Sequence, residues 1–189
     1  QTIKYGQLLQ SASARPGGDA LIDWIDSCPN QLYSALTFKG GAAWRKHLKA
    51  DLGETSGISS LLEDYDNEGL HALMTNLAGH DLETVLEAYS QAAESDIPTC
   101  IIAYTIKGYG LPLAGHKDNH AGLMNVDQMK DFQEFNGVAE GEEWDHFSGL
   151  RVTPSEMQQF IQNVPFSESK TRRFVSSPVE VPADLEYPV

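Results

Sequence analysis

Residues 81–106 read DLETVLEAYSQAAESDIPTCIIAYTI, and this stretch decides the fold class that the sequence predicts. Asp81 can cap the first amides of a helix, and an apolar stripe at helical spacing follows it until Pro98 ends the helix. Residues 99–106 are an almost unbroken run of β-branched and aromatic residues, which is typical of a buried strand in a parallel sheet. A helix followed by a central strand predicts one repeat of a doubly wound α/β domain. The stripe comprises Leu82, Val85, Leu86, Tyr89, Ala92 and Ala93.

The rest of the chain predicts mostly short helices separated by glycines. Residues 1–6 predict the end of a β-strand that turns at Gly6 into a helix, and Pro29 can open another helix. Residues 125–128 (Asn-Val-Asp-Gln) form a variant capping box, and residues 153–156 (Thr-Pro-Ser-Glu) form a complete one. Both boxes predict a helix that begins at that point.

Two regions differ in composition. We assign residues 1–150 to one domain and residues 151–189 to a helix followed by a proline-rich linker. The prolines spaced through residues 176–189 are typical of an extended, semi-rigid spacer. A domain rarely starts at the last residues of a strand, and a spacer needs something to follow it. We therefore expect the chain to be part of a longer protein.

The charge balance excludes some partners. The chain of 189 residues has 13 Lys and Arg against 27 Asp and Glu, a net charge of −14. Nucleic acids and anionic membranes require a basic surface, so neither is expected as the main partner. No apolar run reaches the roughly 20 residues of a membrane span. The two cysteines, Cys28 and Cys100, are too few for a disulfide scaffold, and we expect a soluble, cytoplasmic protein with reduced thiols.

Residues 107–122 (KGYGLPLAGHKDNHAG) form the segment most suited to binding or catalysis. They contain four glycines and two histidines, and they follow the predicted strand, where open parallel sheets bind ligands. Gly108 and Gly110 allow positive φ or a close approach of the backbone to a ligand, and Lys107 offers a positive charge to an anionic substrate. His116 and His120 can move a proton near neutral pH. An ordinary turn with a solvated lysine, or a metal site formed by the two histidines with Asp118, remains an alternative.

The other histidines and the tryptophans are weaker candidates for function. His80 precedes the predicted helix cap, so we expect it to order that turn. Surface or packing roles are expected for His47, His71 and His146. The tryptophans, which we expect to be core or interface anchors, are Trp24, Trp44 and Trp144.

Three linked motifs carry a resemblance to a known family. They are residues 79–81 (Gly-His-Asp), residues 104–110 (Tyr-Thr-Ile-Lys-Gly-Tyr-Gly) and residues 114–124 (Ala-Gly-His-Lys-Asp-Asn-His-Ala-Gly-Leu-Met). In order and spacing they resemble thiamine-diphosphate enzymes of the transketolase type, and most closely the homodimeric 2-oxo-acid dehydrogenase E1 components. The match is good over residues 79–136, looser over residues 1–78, and thin beyond residue 150.

The resemblance implies roles for individual residues. His120 lies where transketolases have a loop histidine that reaches the cofactor diphosphate and the substrate. In the E1 enzymes a histidine at this place belongs to a mobile loop that orders over the active site. Lys107 matches a lysine typical of the E1 branch, which would contact the substrate carboxylate. Gly108 and Gly110 match the turn that delivers the loop, so they are implied to help bind the cofactor.

One departure limits what the chain can do alone. The family binds Mg²⁺, and through it the cofactor diphosphate, with a Gly-Asp-Gly motif and an asparagine. No Gly-Asp-Gly occurs here, and residues 18–20 (Gly-Asp-Ala) come closest. In the family that motif lies upstream of the matched segment, and the domain that binds the aminopyrimidine ring lies downstream. The resemblance therefore implies the later half of a diphosphate-binding domain, with no catalysis by this chain alone.

The implied reaction of the intact enzyme is decarboxylation of pyruvate or a related 2-oxo acid, with acyl transfer to lipoamide. Its implied cofactors are thiamine diphosphate and Mg²⁺. Its implied partners are the N-terminal and pyrimidine-binding portions of the same enzyme, a second subunit in a homodimer, and an E2 lipoyl component. Two alternatives stay open: a transketolase that moves a two-carbon ketol unit between sugar phosphates, and a catalytically inactive binding module.

Overall fold

The structure, a computed structural model, describes residues 1–164 and Glu180. Apart from Glu180, the predicted proline-rich linker lies outside the described residues. The chain divides into two compact units, Gln1–Met129 and Lys130–Val189. Each is described by itself.

The first unit is built mainly from helices. Their order agrees with the pattern of glycine breaks and apolar positions in the sequence. They are α1 (Gln7–Ser13), α2 (Gly18–Ser27), α3 (Asn30–Lys39), α4 (Gly41–Leu52), α5 (Ile58–Glu63), α6 (Asn67–Thr75), a short 3₁₀ helix (Ala78–His80) and α7 (Leu82–Ala93).

The hydrophobic core lies among α1 to α6. Trp44 of α4 is fully buried, and its ring packs edge-on against Tyr33 at 5.1 Å and Trp24 at 6.0 Å between centroids. Arg45 lies beside this core and donates hydrogen bonds to the backbone oxygens of Leu62 and Tyr65. The fully or nearly fully buried aliphatic and methionine side chains are Leu9, Leu21, Leu48, Ile58, Leu61, Leu62, Leu70, Leu73 and Met74.

Two short strands form a parallel pair. β1 (Thr2–Ile3) aligns with β2 (Ile102–Ala103), and the helices α1 to α7 lie between them in the chain. The amide of Ile102 donates to the oxygen of Gln1 at 2.8 Å, and that of Tyr104 donates to Ile3 at 3.0 Å. Because alternate residues of a strand face opposite edges, the N–H of Ala103 points away from β1. A helix-rich α/β architecture with parallel strands and a strand that turns at Gly6 into α1 are therefore confirmed.

The prediction of a long buried strand over residues 99–106 is wrong. Only Ile102–Ala103 form a strand, and Ile102 keeps 57% of its surface exposed. The physical reason is that, within the described residues, β2 has a neighbouring strand along one edge only. A buried parallel strand needs neighbours on both edges and layers on both faces. The apolar run remains at the surface because this unit does not supply them.

Helix α7 begins as predicted, but most of its apolar stripe is exposed, with only Val85 and Ala92 half-buried. The Oδ1 atom of Asp81 accepts a hydrogen bond from the amide of Thr84 at 3.0 Å, and its Oδ2 atom accepts from the amide of Gln7 at 3.1 Å. Burial acts to raise the pKa of Asp81, but its hydrogen bonds outweigh burial and hold that pKa below its ordinary value. Leu82 is 72% exposed, and Leu86 and Tyr89 are exposed as well.

The division between the two units falls within α8 (Val126–Phe135), after Met129. The second unit contains α9 (Pro154–Asn163). The variant capping box is confirmed, because Gln128 N donates to Asn125 Oδ1 at 2.8 Å and Asn125 N donates to Gln128 Oε1 at 3.0 Å. The capping box at Thr153 is also confirmed. Trp144 is 94% exposed, so it is not a core anchor. No helix among the described residues is long and apolar enough to cross a bilayer.

Candidate functional site

A cleft of about 1040 Å³ lies where β1 and β2 end. Lys4 follows β1 directly, residues 104–107 follow β2, and both segments line the cleft. Helix α3 and the segment 115–119 supply the other walls. We call this the strand-end cleft. Its position is the one at which open parallel sheets bind ligands.

The strand-end cleft is basic within an acidic chain. Lys4, Lys39, Lys107 and Lys117 line it, whereas Asp26 is its one carboxylate among the described lining residues. The chain as a whole carries a net charge of −14. A concentration of cations in a concave site attracts anionic ligands. The cleft therefore suits a carboxylate or a phosphate.

The single carboxylate of the cleft is already engaged. Lys4 Nζ and Tyr5 Oη both donate to Asp26 Oδ1. The hydrogen bond from Lys4, followed by that from Tyr5, lowers the pKa of Asp26. Burial and the contact with Asp26 raise the pKa of Tyr5. Because Asp26 pairs with Lys4, it does not neutralise the other lysines of the cleft.

The structure brings Lys107 and His120 together. Lys107 Nζ lies 2.7 Å from His120 Nδ1, and Asn119 Nδ2 donates to the backbone oxygen of Lys107 at 2.8 Å. An ammonium group can only donate, so Nδ1 is the acceptor in this contact and the proton of a neutral imidazole resides on Nε2. The pair combines a fixed positive charge with a ring that can donate or accept a proton.

Gly108 and Gly110 shape the turn that leads from β2 into the loop. Their φ angles are +72° and +78°, a region that other residues rarely adopt. The turn is closed by hydrogen bonds from Tyr109 N to Ile106 O at 3.1 Å and from Leu111 N to Gly108 O at 2.9 Å. The positive φ expected from the sequence is therefore present at both glycines.

His80 anchors the base of this loop. Its Nε2 atom accepts a hydrogen bond from the amide of Ile106 at 2.6 Å, and its ring stacks on Tyr109 at 3.8 Å between centroids. Burial lowers the pKa of His80, which favours the neutral ring that this acceptor role requires. His80 thus has a structural role, as expected, but its ring contacts the base of the loop, 26 residues later in the chain, and not the turn before α7.

Gly79 completes this anchor, and inspection of the sequence did not assign it a role. Its amide donates to the oxygen of Tyr104 at 2.9 Å. A Cβ atom added at Gly79 would lie 2.4 Å from Thr105 Cγ2 and 2.8 Å from the oxygen of Tyr104. The Gly-His-Asp segment therefore packs directly on the strand end, and its place among the three linked motifs is the signal that could have indicated this contact.

His116 does not join the pair formed by Lys107 and His120. Its ring packs against Phe38 of α3 at 4.5 Å between centroids, and its Nδ1 atom accepts from the amide of Asp118 at 3.1 Å. Across residues 1–164, no cluster of three or more histidine, cysteine or acidic side chains is arranged to hold a metal ion.

The sequence is similar to curated proteins that share one name. The chain is 30% identical over 136 residues to the pyruvate dehydrogenase E1 component of Cupriavidus necator, covering 70% of this chain and 14% of that protein. It is 31% identical over 123 residues to that of Corynebacterium glutamicum, covering 63% and 13%, respectively. It is 33% identical over 136 residues to that of Escherichia coli strain K12, covering 70% and 15%. The chain thus spans about one seventh of the length of these relatives.

Seven curated relatives match significantly, and every one of them is named pyruvate dehydrogenase E1 component. No family model matches the chain. No solved structure matches it significantly.

Proposed function

Since the chain belongs to the family of the pyruvate dehydrogenase E1 components, we propose that it forms part of a thiamine-diphosphate-dependent 2-oxo-acid dehydrogenase E1 component. The intact enzyme would decarboxylate pyruvate or a related 2-oxo acid and transfer the acyl group to lipoamide. The observation that supports this best is the contact between Lys107 and His120 beside the basic strand-end cleft.

In this proposal, Lys107 binds the carboxylate of the 2-oxo acid. An ammonium group attracts a carboxylate strongly in a site that excludes part of the solvent, and it fixes that end of the substrate. His120 accepts a hydrogen bond from Lys107 through Nδ1, which keeps the ammonium group in place and leaves Nε2–H as a donor for a phosphate oxygen. Gly108 and Gly110 let the loop reach the cofactor.

The described residues fit part of the cofactor. The lysines of the strand-end cleft other than Lys107 suit an anionic diphosphate, whereas residues 1–164 show no cluster of acidic or histidine ligands for Mg²⁺. We propose that other portions of the enzyme hold the metal ion and the aminopyrimidine ring. When bound, thiamine diphosphate supplies the electron sink for decarboxylation, and the residues of this chain supply orientation and charge.

The same proposal covers domain organisation and partners. Residues 1–150 would be the later half of the diphosphate-binding domain, and residues 151–189 would be a helix and a linker. The missing portions of the enzyme, a second subunit and an E2 lipoyl component would be partners of the intact protein. The presence of only two cysteines, both free, is compatible with the reducing cytoplasm as its location.

The proposal is tested on the full-length protein that contains this chain. We expect turnover of a 2-oxo acid with lipoamide and no turnover of xylulose phosphate. Turnover of the sugar phosphate instead would replace the proposal with a transketolase, and no turnover of either substrate would leave an inactive binding module.

Substitutions at Lys107 and His120 test the role proposed for each residue. Lys107→Ala should raise KM for the 2-oxo acid about tenfold or more, with cofactor affinity nearly unchanged, because it removes a charge that meets the substrate. Lys49→Ala, which removes an exposed lysine of α4, is the matched control and should leave KM unchanged. A normal KM in Lys107→Ala would remove Lys107 from substrate binding.

For the histidine, His120→Ala should abolish most of the turnover while cofactor still binds, and His146→Ala, an exposed histidine of the second unit, is its control. Unchanged turnover in His120→Ala would remove His120 from the reaction.

A further inference from the structure

The loop of residues 107–122 rests on helix α3 through its backbone. Gly115 has a φ of +74°, and a Cβ atom added to it would lie 2.4 Å from the backbone oxygen of Ser34 and 3.0 Å from Thr37 Cβ. The two backbones are therefore in direct contact, and only glycine fits between them. We call the surface formed by Ser34, Thr37 and Phe38 the α3 seat.

The next loop residue, His116, also contacts the α3 seat, through its ring. The ring of Phe38, in the last turn of α3, packs against His116 at 4.5 Å between centroids with an angle of 57° between the planes. Phe38 lies outside the hydrophobic core cluster and is 44% exposed. Its contact with His116 is therefore a feature of the loop and does not fill the core.

Backbone hydrogen bonds connect this contact to the candidate site. Asn119 N donates to the oxygen of His116 at 3.2 Å, and the amides of Ala121 and Gly122 donate to the oxygen of Asp118 at 3.1 and 2.8 Å. These turns join the residue that contacts Phe38 to His120. Across the turns, Asn119 Nδ2 and His120 Nδ1 both contact Lys107. Movement of His116 away from Phe38 would therefore move His120 relative to Lys107.

We propose that Phe38 is a positioning residue: through His116 it holds residues 114–122 on the α3 seat and thereby holds His120 against Lys107. The structural part of this inference stands on the contacts alone. Its kinetic consequence rests on the proposed function, because only an active enzyme needs His120 in place.

Limited trypsin digestion of the full-length protein tests the structural part. Lys117 is an exposed lysine next to His116, so cleavage after it reports how often the loop leaves the seat. Phe38→Ala should speed this cleavage about two- to tenfold, which corresponds to the strength of one aromatic pair. Phe38→Tyr should restore the rate of the unaltered protein, and adding His116→Ala to Phe38→Ala should have no further effect.

Cleavage after Lys49, in α4, is the internal control for general unfolding and should not change. Equal cleavage after Lys117 in Phe38→Ala and in the unaltered protein would overturn the inference. Equal acceleration after Lys49 would do so too, because it would show that Phe38 supports the whole unit.

A kinetic cycle tests the link to His120. Phe38→Ala should lower kcat more than it raises KM for the 2-oxo acid, and this decrease should disappear in a His120→Ala background. An undiminished decrease in that background would overturn the link. A protein with faster cleavage after Lys117 but no E1 activity with or without the substitution would refute the proposed function and leave the loop seat supported.

Discussion

Apolar residues are buried in helices α1 to α6 but largely exposed in β1, β2, α7 and the loop of residues 107–122. We call the second of these parts of the first unit the strand-end region. In the helical region, Trp44, Leu48 and Leu73 are completely buried. In the strand-end region, Ile102 of β2 and Leu86 of α7 face outward. Both regions have the apolar spacing that normally marks a core. The difference is whether neighbouring elements are present to cover the apolar face.

The two regions contribute differently to stability and to the proposed function. The helical region supplies burial of apolar surface, which is the main favourable contribution to folding. The strand-end region supplies few buried contacts, but it carries the pair of Lys107 and His120 and the glycine turn, and it forms the strand-end cleft together with α3. Changes at buried residues of α1 to α6 should therefore alter the free energy of unfolding, and changes at the cleft or at residues that support the loop should alter binding or loop position.

The largest effect is expected in the helical region. Trp44→Ala should lower the free energy of unfolding by about 3–5 kcal/mol, because it leaves a cavity and removes two edge-on aromatic contacts. Urea unfolding followed by circular dichroism measures this value. A loss below about 1 kcal/mol would remove the distinction between the two regions, since surface substitutions reach similar values.

A smaller effect is expected where the two regions meet. His80→Phe keeps a flat ring against Tyr109 but removes the acceptor of the Ile106 amide. The unpaired amide should lower the stability by about 1–3 kcal/mol. Hydrogen exchange should show faster exchange at Ile106, whereas amides within α4 should keep their rates. Unchanged protection at Ile106 would show that another group satisfies this amide.

The same histidine predicts a pH dependence. Burial lowers the pKa of His80 and that of His71 in the folded chain, so the unfolded chain binds protons more readily. The stability should therefore be complete above about pH 6.5, the ordinary pKa of histidine, and should fall as the pH decreases through that value. Urea midpoints between pH 8 and pH 5 measure the effect. His80→Phe should show a shallower dependence that does not vanish, because His71 remains, and an unchanged slope would contradict the assignment to His80.

The smallest effect is expected on the exposed face of α7. Leu86→Ala should change the free energy of unfolding by about 0.5 kcal/mol or less, because Leu86 is exposed and no cavity forms. Leu73→Ala, at a fully buried position of α6, is the matched control and should cost about 2–5 kcal/mol. Equal losses in the two variants would show that the α7 face is covered in solution.

The helices could be predicted from the sequence because their signals are local. The caps at Asp81 and Thr153 depend on residues a few positions apart. The extent of β2 could not be predicted, because its burial depends on neighbouring strands that residues 99–106 do not encode. The acceptor role of His80 and the packing of Gly79 were missed for the same reason: both depend on contacts with residues far along the chain.

Part of the candidate site could likewise be predicted from the sequence, and part could not. The resemblance identified Lys107 and His120, and the structure places their side chains in contact. Their catalytic and binding roles stay predictions. The contact of His116 with Phe38 could not be found from the sequence, because a phenylalanine at the end of a helix looks like an ordinary apolar residue until the loop is seen beside it.

The outward-pointing amide of Ala103 affects how the chain behaves at high concentration. An open strand edge can pair with any extended segment of another molecule, and natural proteins usually protect such edges. Ile101 and Ile102 are β-branched and Ala103 carries no charge, so nothing in this stretch repels a second molecule. We predict that self-association at high concentration begins at this edge and that Ala103→Lys reduces it, as measured by light scattering.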